Sequence, residues 1–411
     1  MQNVEFQKKL KTAIIIFIFI SAFTGFHNGA LDSILPNYFK EAYDVTAAQR
    51  GFIEFPREFP GIVSLFVISA LSFLRDIKTA VIAQVLGVIG LVVLGVFHPS
   101  YGVMLIFIFI YSMGVHMFMP LGDSIGLSLA TKETMGRILG RFNSVRMAFG
   151  MVAGLVCFFG FRSGLFHFDV PVWIFIICAA CFLACAILLF ALHAQVGKDI
   201  ESRTEVSKLV FRKEYSRYYL ICALYGARKQ IIYAFSPWVL IELVGFKADK
   251  MSMLAVIGAF IGIFFIPLVG KLIDKKGSRF AMIVEALCFL VVYVAYAILT
   301  RWMALNPTVV LTGGILVFVY ILYITDRMSS QFYMVRATYL NSIAIKEEDV
   351  TPSLSTGMAI DHVVAILGAS LCGIVWDQWG PQYVFVIAAI ITFANLVAVS
   401  GIKKDAVIDR T

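Results

Sequence analysis

Charge is what this sequence has least of. Charged residues fill 15% of its 411 positions, whereas a soluble domain carries about 25%. Hydrophobic residues reach 60% and the mean hydropathy is +0.88. Water does not solvate such a surface, so the composition excludes a soluble globular protein and points to lipid. Long hydrophilic stretches are also missing. The most extended one, Val196 to Arg217, falls near the midpoint and is too short for a soluble catalytic domain. No HExxH, Walker loop, GxSxG or GxGxxG occurs in a suitable setting, so no enzyme activity, catalytic residue, cofactor or metal is expected. Cysteines are few, and all seven (Cys157, Cys178, Cys181, Cys185, Cys222, Cys288, Cys372) fall in apolar segments. There a thiol acts as a small hydrophobe, which excludes a disulfide framework and, for the CxxC pair Cys178 and Cys181, redox or metal chemistry.

What is present is a recurrence of apolar windows. A bilayer core of about 30 Å needs roughly 20 apolar residues per helix, and twelve such windows run from Thr12–Ser33 to Gln382–Val399 with short polar breaks. The fold class expected is therefore an all-α membrane protein. The first window is too long for a signal-peptide core and follows the basic residues Lys8, Lys9 and Lys11, so it is expected to stay as a helix. Lys and Arg concentrate in the loops on the N-terminal side, which predicts that both termini are cytoplasmic. The net charge of +8 follows from that bias and from attraction to anionic headgroups, without any nucleic-acid partner.

The chain also repeats itself. The shift that carries Gly25 onto Gly226 carries Pro36 onto Pro237, Gly61 onto Gly262, Leu71 onto Leu272 and Lys78 onto Arg279. Weak internal symmetry of this kind marks transporters that arose by duplication. It predicts two six-helix bundles, residues 1–195 and 218–411, joined by a cytoplasmic linker at 196–217.

Between the eighth and ninth windows stands Gly270-Lys-Leu-Ile-Asp274-Lys-Lys-Gly277-Ser-Arg279. It matches G-x-L-x-D-x-x-G-x-[RK], and with the twelve-span layout the chain resembles the major facilitator superfamily over nearly its whole length. The resemblance implies two pseudo-symmetric six-helix bundles, alternating access, and a central cavity lined by spans 1, 4, 7 and 10. It also implies a cytoplasmic gate in which Asp274 and Arg279 act with Gly136, Arg137 or Arg141 at the start of span 5. The first-half copy departs from the pattern, with Phe73 where the motif has Asp and Asp76 where it has its second Gly.

Ionisable side chains at bilayer depth cost about 2.5 to 3.5 kcal/mol on insertion scales, so those that persist face a cavity or a partner. Span 1 holds His27, Asn28 and Asp32, and the repeat shift sets Arg228 and Lys229 of span 7 opposite His27 and Asn28. Span 2 holds Glu54, Arg57 and Glu58 among Pro56 and Pro60; span 4 holds His116, Pro120 and Asp123; span 5 holds Arg146. Span 10 holds Asp326, Arg327, Gln331 and Arg336, and span 11 holds Asp361 and His362. Any one of these can equally be a structural ion pair. Guanidiniums fork onto carboxylate or phosphate, and a desolvated carboxylate is suited to carrying a proton. The expected substrate-binding set is Asn28, Arg57, His116, Arg146, Arg228, Lys229, Arg327, Gln331, Arg336 and His362. The expected proton-coupling set is Asp32, Glu58, Asp123, Asp326 and Asp361.

The expected activity is secondary transport of a small organic anion or zwitterion, coupled to protons, by a monomer in the plasma (inner) membrane. One rival is a multidrug exporter of the same superfamily, but Gly150-Met-Val-Ala-Gly154 lacks the proline of the antiporter signature. The rival from another class is a membrane sensor or enzyme.

Overall fold

The computed structural model describes residues 2–130, 134–196, 211–306, 313–346 and 349–402. Most of the expected linker, residues 197–210, lies outside them. The described residues form twelve α-helices and no strand. In chain order these are α1 (Gln2–Tyr43), α2 (Ala47–Ala70), α3 (Asp76–Val96), α4 (Tyr101–Ser128), α5 (Met135–Arg162) and α6 (Trp173–Val196). Then come α7 (Ser216–Trp238), α8 (Ala248–Leu305), α9 (Gly313–Ser329), α10 (Met334–Ile343), α11 (Val350–Trp379) and α12 (Pro381–Ser400).

Eight of these helices are long and apolar enough to cross a membrane. One of them, α8, has 58 residues, which at 1.5 Å per residue is about 87 Å and far exceeds one crossing. It breaks at Gly277, where φ is 80° and ψ is 165°, a region open essentially to glycine alone. This is the second glycine of the loop motif, so the motif supplies the break that divides α8 into the expected spans 8 and 9. Span 10 is interrupted too: α9 gives way to a 3-10 turn, Ser330–Tyr333, before α10. At the end of α7, Pro237 precedes a π-helical turn, Val239–Leu243.

The chain divides into two compact units, and the described residues of the first come from Met1–Tyr43, Pro56–Val206 and Lys247–Val256. Here α1 packs on α5 and α6, and α3 on α4 and α6, around a core that includes Phe17, Met117, Leu121, Phe142 and Leu189. Lipid tails are as apolar as leucine, so helices associate through close packing, which small residues permit. Gly25 and Gly29 serve this purpose. A Cβ on Gly25 would strike the Arg146 carbonyl, and one on Gly29 would come within 2.6 Å of the Gly150 Cα.

The second unit comprises Asp44–Phe55, Ser207–Phe246 and Ile257–Thr411, as far as these are described. In it α7 packs on α11 and α12. Gly226, the repeat partner of Gly25, marks the corresponding crossing, since a Cβ there would meet the Asp361 side chain, with the Asp361 carbonyl 2.7 Å away. The start of α2 belongs to this unit and lies on α11, with the position of a Gly373 Cβ 2.9 Å from the Ala48 Cα. The Asp377 carboxylate accepts hydrogen bonds from the backbone N–H of Ala47 at 3.1 Å and Ala48 at 2.9 Å. It thereby satisfies donors that the first turn of any helix leaves open.

Candidate functional site

The densest charge lies inside the second unit. Arg228 and Lys229 are neighbours on α7, about 100° apart around the helix, and so they point at different helices. Arg228 is 0% exposed and places Nη2 2.9 Å from Oε1 of Glu285 in the second arm of α8. Its guanidinium carbon lies 4.3 Å from the centre of the Phe289 ring. This contact with Glu285 is one of charge. None of the Arg228 nitrogens donates a well-aligned hydrogen bond among the described residues.

Arg336 of α10 reaches the same Glu285 oxygen, with Nη1 donating at 3.3 Å. Two guanidiniums therefore share one carboxylate that is 1% exposed. Lys229 turns the other way and donates from Nζ to Oδ2 of Asp361 on α11 at 2.8 Å. The other Asp361 oxygen, Oδ1, has no hydrogen-bond partner among the described residues. These groups are less enclosed, with Lys229 19%, Asp361 18% and Arg336 10% exposed.

All three cations gather on the face of Tyr225, one turn before Lys229. The Arg336 guanidinium lies 3.1 Å from the ring centre, that of Arg228 5.2 Å and the Lys229 ammonium 5.9 Å. A ring quadrupole attracts cations at such distances. Among the described residues of the cluster, three cations stand against two carboxylates, one positive charge in excess.

A second polar group surrounds Asp326 on α9, which is 2% exposed. Ser236 donates its hydroxyl to Oδ2 of Asp326 at 2.9 Å, and Tyr296 lies 2.7 Å from the Ser236 oxygen. No ion pair to Asp326 lies within 4 Å among the described residues. The adjacent Arg327 instead lies over the Tyr233 and Tyr323 rings at 5.1 and 5.0 Å. Gln331 donates to the Arg327 carbonyl at 3.3 Å, at the edge of the 3-10 turn. A third group joins the start of α2 to α7. There Glu54 pairs with Arg50 and accepts from Nε2 of Gln230 at 2.6 Å.

In the first unit, Ser112 of α4 donates to the Arg57 carbonyl at 2.5 Å and lies 3.1 Å from Nδ1 of His116. Arg57, Glu58 and His116 are half-buried, as are Asn28 and Arg146, while Asp32 and Asp123 are exposed. His27 is buried and stacks on Phe182 with ring centres 3.7 Å apart. Of the expected gate residues, Arg137, Arg141 and Asp274 are exposed, and Arg279 donates to the Ser400 carbonyl at the end of α12 at 2.7 Å. His362 is half-buried beside Asp361.

The structure thus brings Arg228, Lys229, Arg336 and Asp361 together, and Asp326, Arg327 and Gln331 along α9 and the turn that follows. Sequence reasoning missed Glu285, Arg50 and Ser236. A signal existed for Glu285, the one charged residue between Phe280 and Thr300, because a lone carboxylate in an apolar span needs a partner. No comparable signal marked Ser236, which is an ordinary hydroxyl until its neighbour is known.

Several solved structures share this architecture. A nucleoside transporter, NupG, superimposes with a TM-score of 0.74 at 16% identity, covering 95% of this chain and 100% of that one. An autoinhibited peptide transporter of the POT family gives 0.72 at 12% identity, over 95% of this chain and 96% of that one. A D-xylose–proton symporter gives 0.66 at 13% identity, over 96% and 98%. At these identities the likeness is one of fold. Among curated proteins none matches the sequence. The sequence pattern of the Major Facilitator Superfamily, however, matches residues 16–344. That stretch is well over half of the chain, and with the all-α membrane fold it establishes that this protein belongs to the Major Facilitator Superfamily and is a transporter rather than an enzyme.

Proposed function

We propose that the protein is a secondary active transporter that moves a small organic anion or zwitterion by alternating access, coupled to protons. The observation that carries this reading is the cluster on Tyr225, where Arg228, Lys229 and Arg336 gather with Glu285 and Asp361. Excess positive charge in a poorly solvated place is costly, and an anionic substrate relieves it. Arg336 and Lys229, being the less enclosed, touch the substrate. Arg228 stands behind them and sets the field. Asp361, with its unpartnered Oδ1, receives the ammonium of a zwitterion.

For coupling, Asp326 is the favoured carrier among the expected carboxylates. It is buried and accepts a hydrogen bond from the Ser236 hydroxyl, with no direct ion pair among the described residues, so taking up a proton breaks no such pair. Asn28, Arg57, His116, Arg146, Arg327, Gln331 and His362 complete the substrate path, with Asp32, Glu58 and Asp123 as secondary proton sites. Asp274, Arg279, Arg137 and Arg141 act in cytoplasmic gating. The same reading gives a monomer in the plasma membrane, with both termini in the cytoplasm and the halves 1–195 and 218–411 moving as bundles.

Uptake into proteoliposomes, measured with a panel of small carboxylates, amino acids and neutral sugars with and without an imposed pH gradient, tests the proposal. Gradient-driven accumulation of an anion or zwitterion is expected, lost in Asp326→Asn while exchange of internal for external substrate persists. Transport of neutral sugars without anions would overturn the substrate class. Unchanged accumulation in Asp326→Asn would remove Asp326 from coupling.

A further inference from the structure

On the outer face of the second unit, the second arm of α8 and α12 stand side by side, joined by the stacked rings of Tyr296 and Phe385 at 4.8 Å. Between them runs an open groove of about 870 Å³. One end is wholly apolar, at Leu290 and Phe393. The other holds Arg301, Trp302, Gln382 and Tyr383. From Leu290 to Arg301 the helix rises about 16 Å, and from Phe393 back to Tyr383 about 15 Å, at 1.5 Å per residue. Each is half of a hydrocarbon core of about 30 Å, the depth of a single leaflet.

Polarity follows the same axis. Arg301 is exposed at the end of the groove remote from the Gly277 break, and it makes no ion pair among the described residues. Trp302 and Tyr383 lie at the same level, where amphipathic rings mark the boundary between tails and headgroups. The carbonyl oxygen of the buried Gln382 side chain also has no hydrogen-bond partner there. The groove thus has the length of one acyl layer, an apolar floor, and a cation with an open acceptor at headgroup height.

We infer that this groove is a binding site for one phospholipid with an anionic headgroup, its tails lying between α8 and α12 and its phosphate on Arg301. The site is separate from the cluster on Tyr225 and does not depend on the transport proposal. A basic residue at the membrane surface favours an anionic over a zwitterionic lipid by about five-fold.

The test uses the full-length protein purified in mild detergent, with co-purifying lipid counted by native mass spectrometry. The delipidated protein is then titrated with dioleoyl phosphatidylglycerol and dioleoyl phosphatidylcholine. The wild type is expected to retain one phospholipid and to prefer phosphatidylglycerol about five-fold. Arg301→Ala is expected to abolish the preference while still binding phosphatidylcholine. Ala297→Phe, which fills the floor of the groove and keeps Arg301, is expected to weaken both lipids. A wild type without preference, a preference unchanged in Arg301→Ala, or retention unchanged in a monodisperse Ala297→Phe would each overturn the inference.

Discussion

Replacing Glu285 by Gln removes one negative charge from a place where Arg228 lies 2.9 Å and Arg336 3.3 Å from the same oxygen. Gln keeps the volume of the side chain, so the change is almost purely electrostatic. Deleting one partner of a buried ion pair costs about 3–5 kcal/mol, because the other charge stays behind without compensation. Here two guanidiniums stay behind, one 0% and the other 10% exposed, so the upper end of that range is expected. Replacing Arg228 by Met acts differently. It leaves Glu285 paired with Arg336, a neutral pair, and removes the excess charge, at the expense of a cation–π contact with Phe289 worth about 0.5–2 kcal/mol. Glu285→Gln should therefore destabilise the protein by about 3 kcal/mol more than Arg228→Met. Thermal unfolding in one detergent, at equal protein concentration and without substrate, ranks the two. Adding the transported anion should recover stability in Glu285→Gln more than in the wild type, since it supplies the missing charge. Equal losses, or a worse loss in Arg228→Met, would mean that Glu285 and Arg228 form an isolated pair, and the argument for excess positive charge would fail with it.

Two further outcomes follow from the helix contacts. Gly226→Ala places a Cβ against Asp361, whose carbonyl is 2.7 Å away, so a loss of about 1–3 kcal/mol is expected, together with displacement of the Lys229–Asp361 pair and impaired transport. Gly262→Ala, where an added Cβ meets nothing within 4 Å among the described residues, is the control and should be neutral or stabilising by up to about 1 kcal/mol; equal melting of the two variants would refute close packing at Gly226. Asp377→Ala removes the acceptor of two N–H groups at the start of α2 and should cost about 1 kcal/mol, with Asn in between. The same melting temperature for Asp, Asn and Ala would show that the contact contributes nothing.

The membrane fold was readable because bilayer thickness imposes a length on every crossing, and the break within α8 was readable because the loop motif carries Gly277. Side-chain partners were not. Arg228 and Lys229 are adjacent in sequence, and the repeat shift assigns them only to His27 and Asn28. Which of the two would be enclosed depended on Glu285 and Phe289 of α8 for one and on Asp361 of α11 for the other. Periodicity gives the face on which a residue lies but not the helix that the face meets. Glu54 illustrates the same limit. Its spacing does not reveal that it pairs one turn back with Arg50 and reaches across to Gln230 on α7.

Four helices, α2, α7, α9 and α10, fall outside the set that is long and apolar enough to cross a membrane unaided, α2 and α7 for want of apolar character and α9 and α10 because they run for only 17 and 10 residues. They carry Arg50, Glu54, Arg57, Glu58, Arg228, Lys229, Asp326, Arg327 and Arg336. A charge in a bilayer is tolerated where a neighbouring helix supplies its partner, so such residues come as sets spread over several helices. In the second unit one set spans α7, α8, α10 and α11. The interruption at Ser330–Tyr333 obeys the same rule for the backbone, because N–H and C=O groups released from a helix must find protein or water within the membrane. It occurs just past Asp326 and Arg327, where the side chains already require a polar setting. Low hydropathy, the broken helix and the clustered charges are therefore one feature, a polar interior that lipid alone would not sustain.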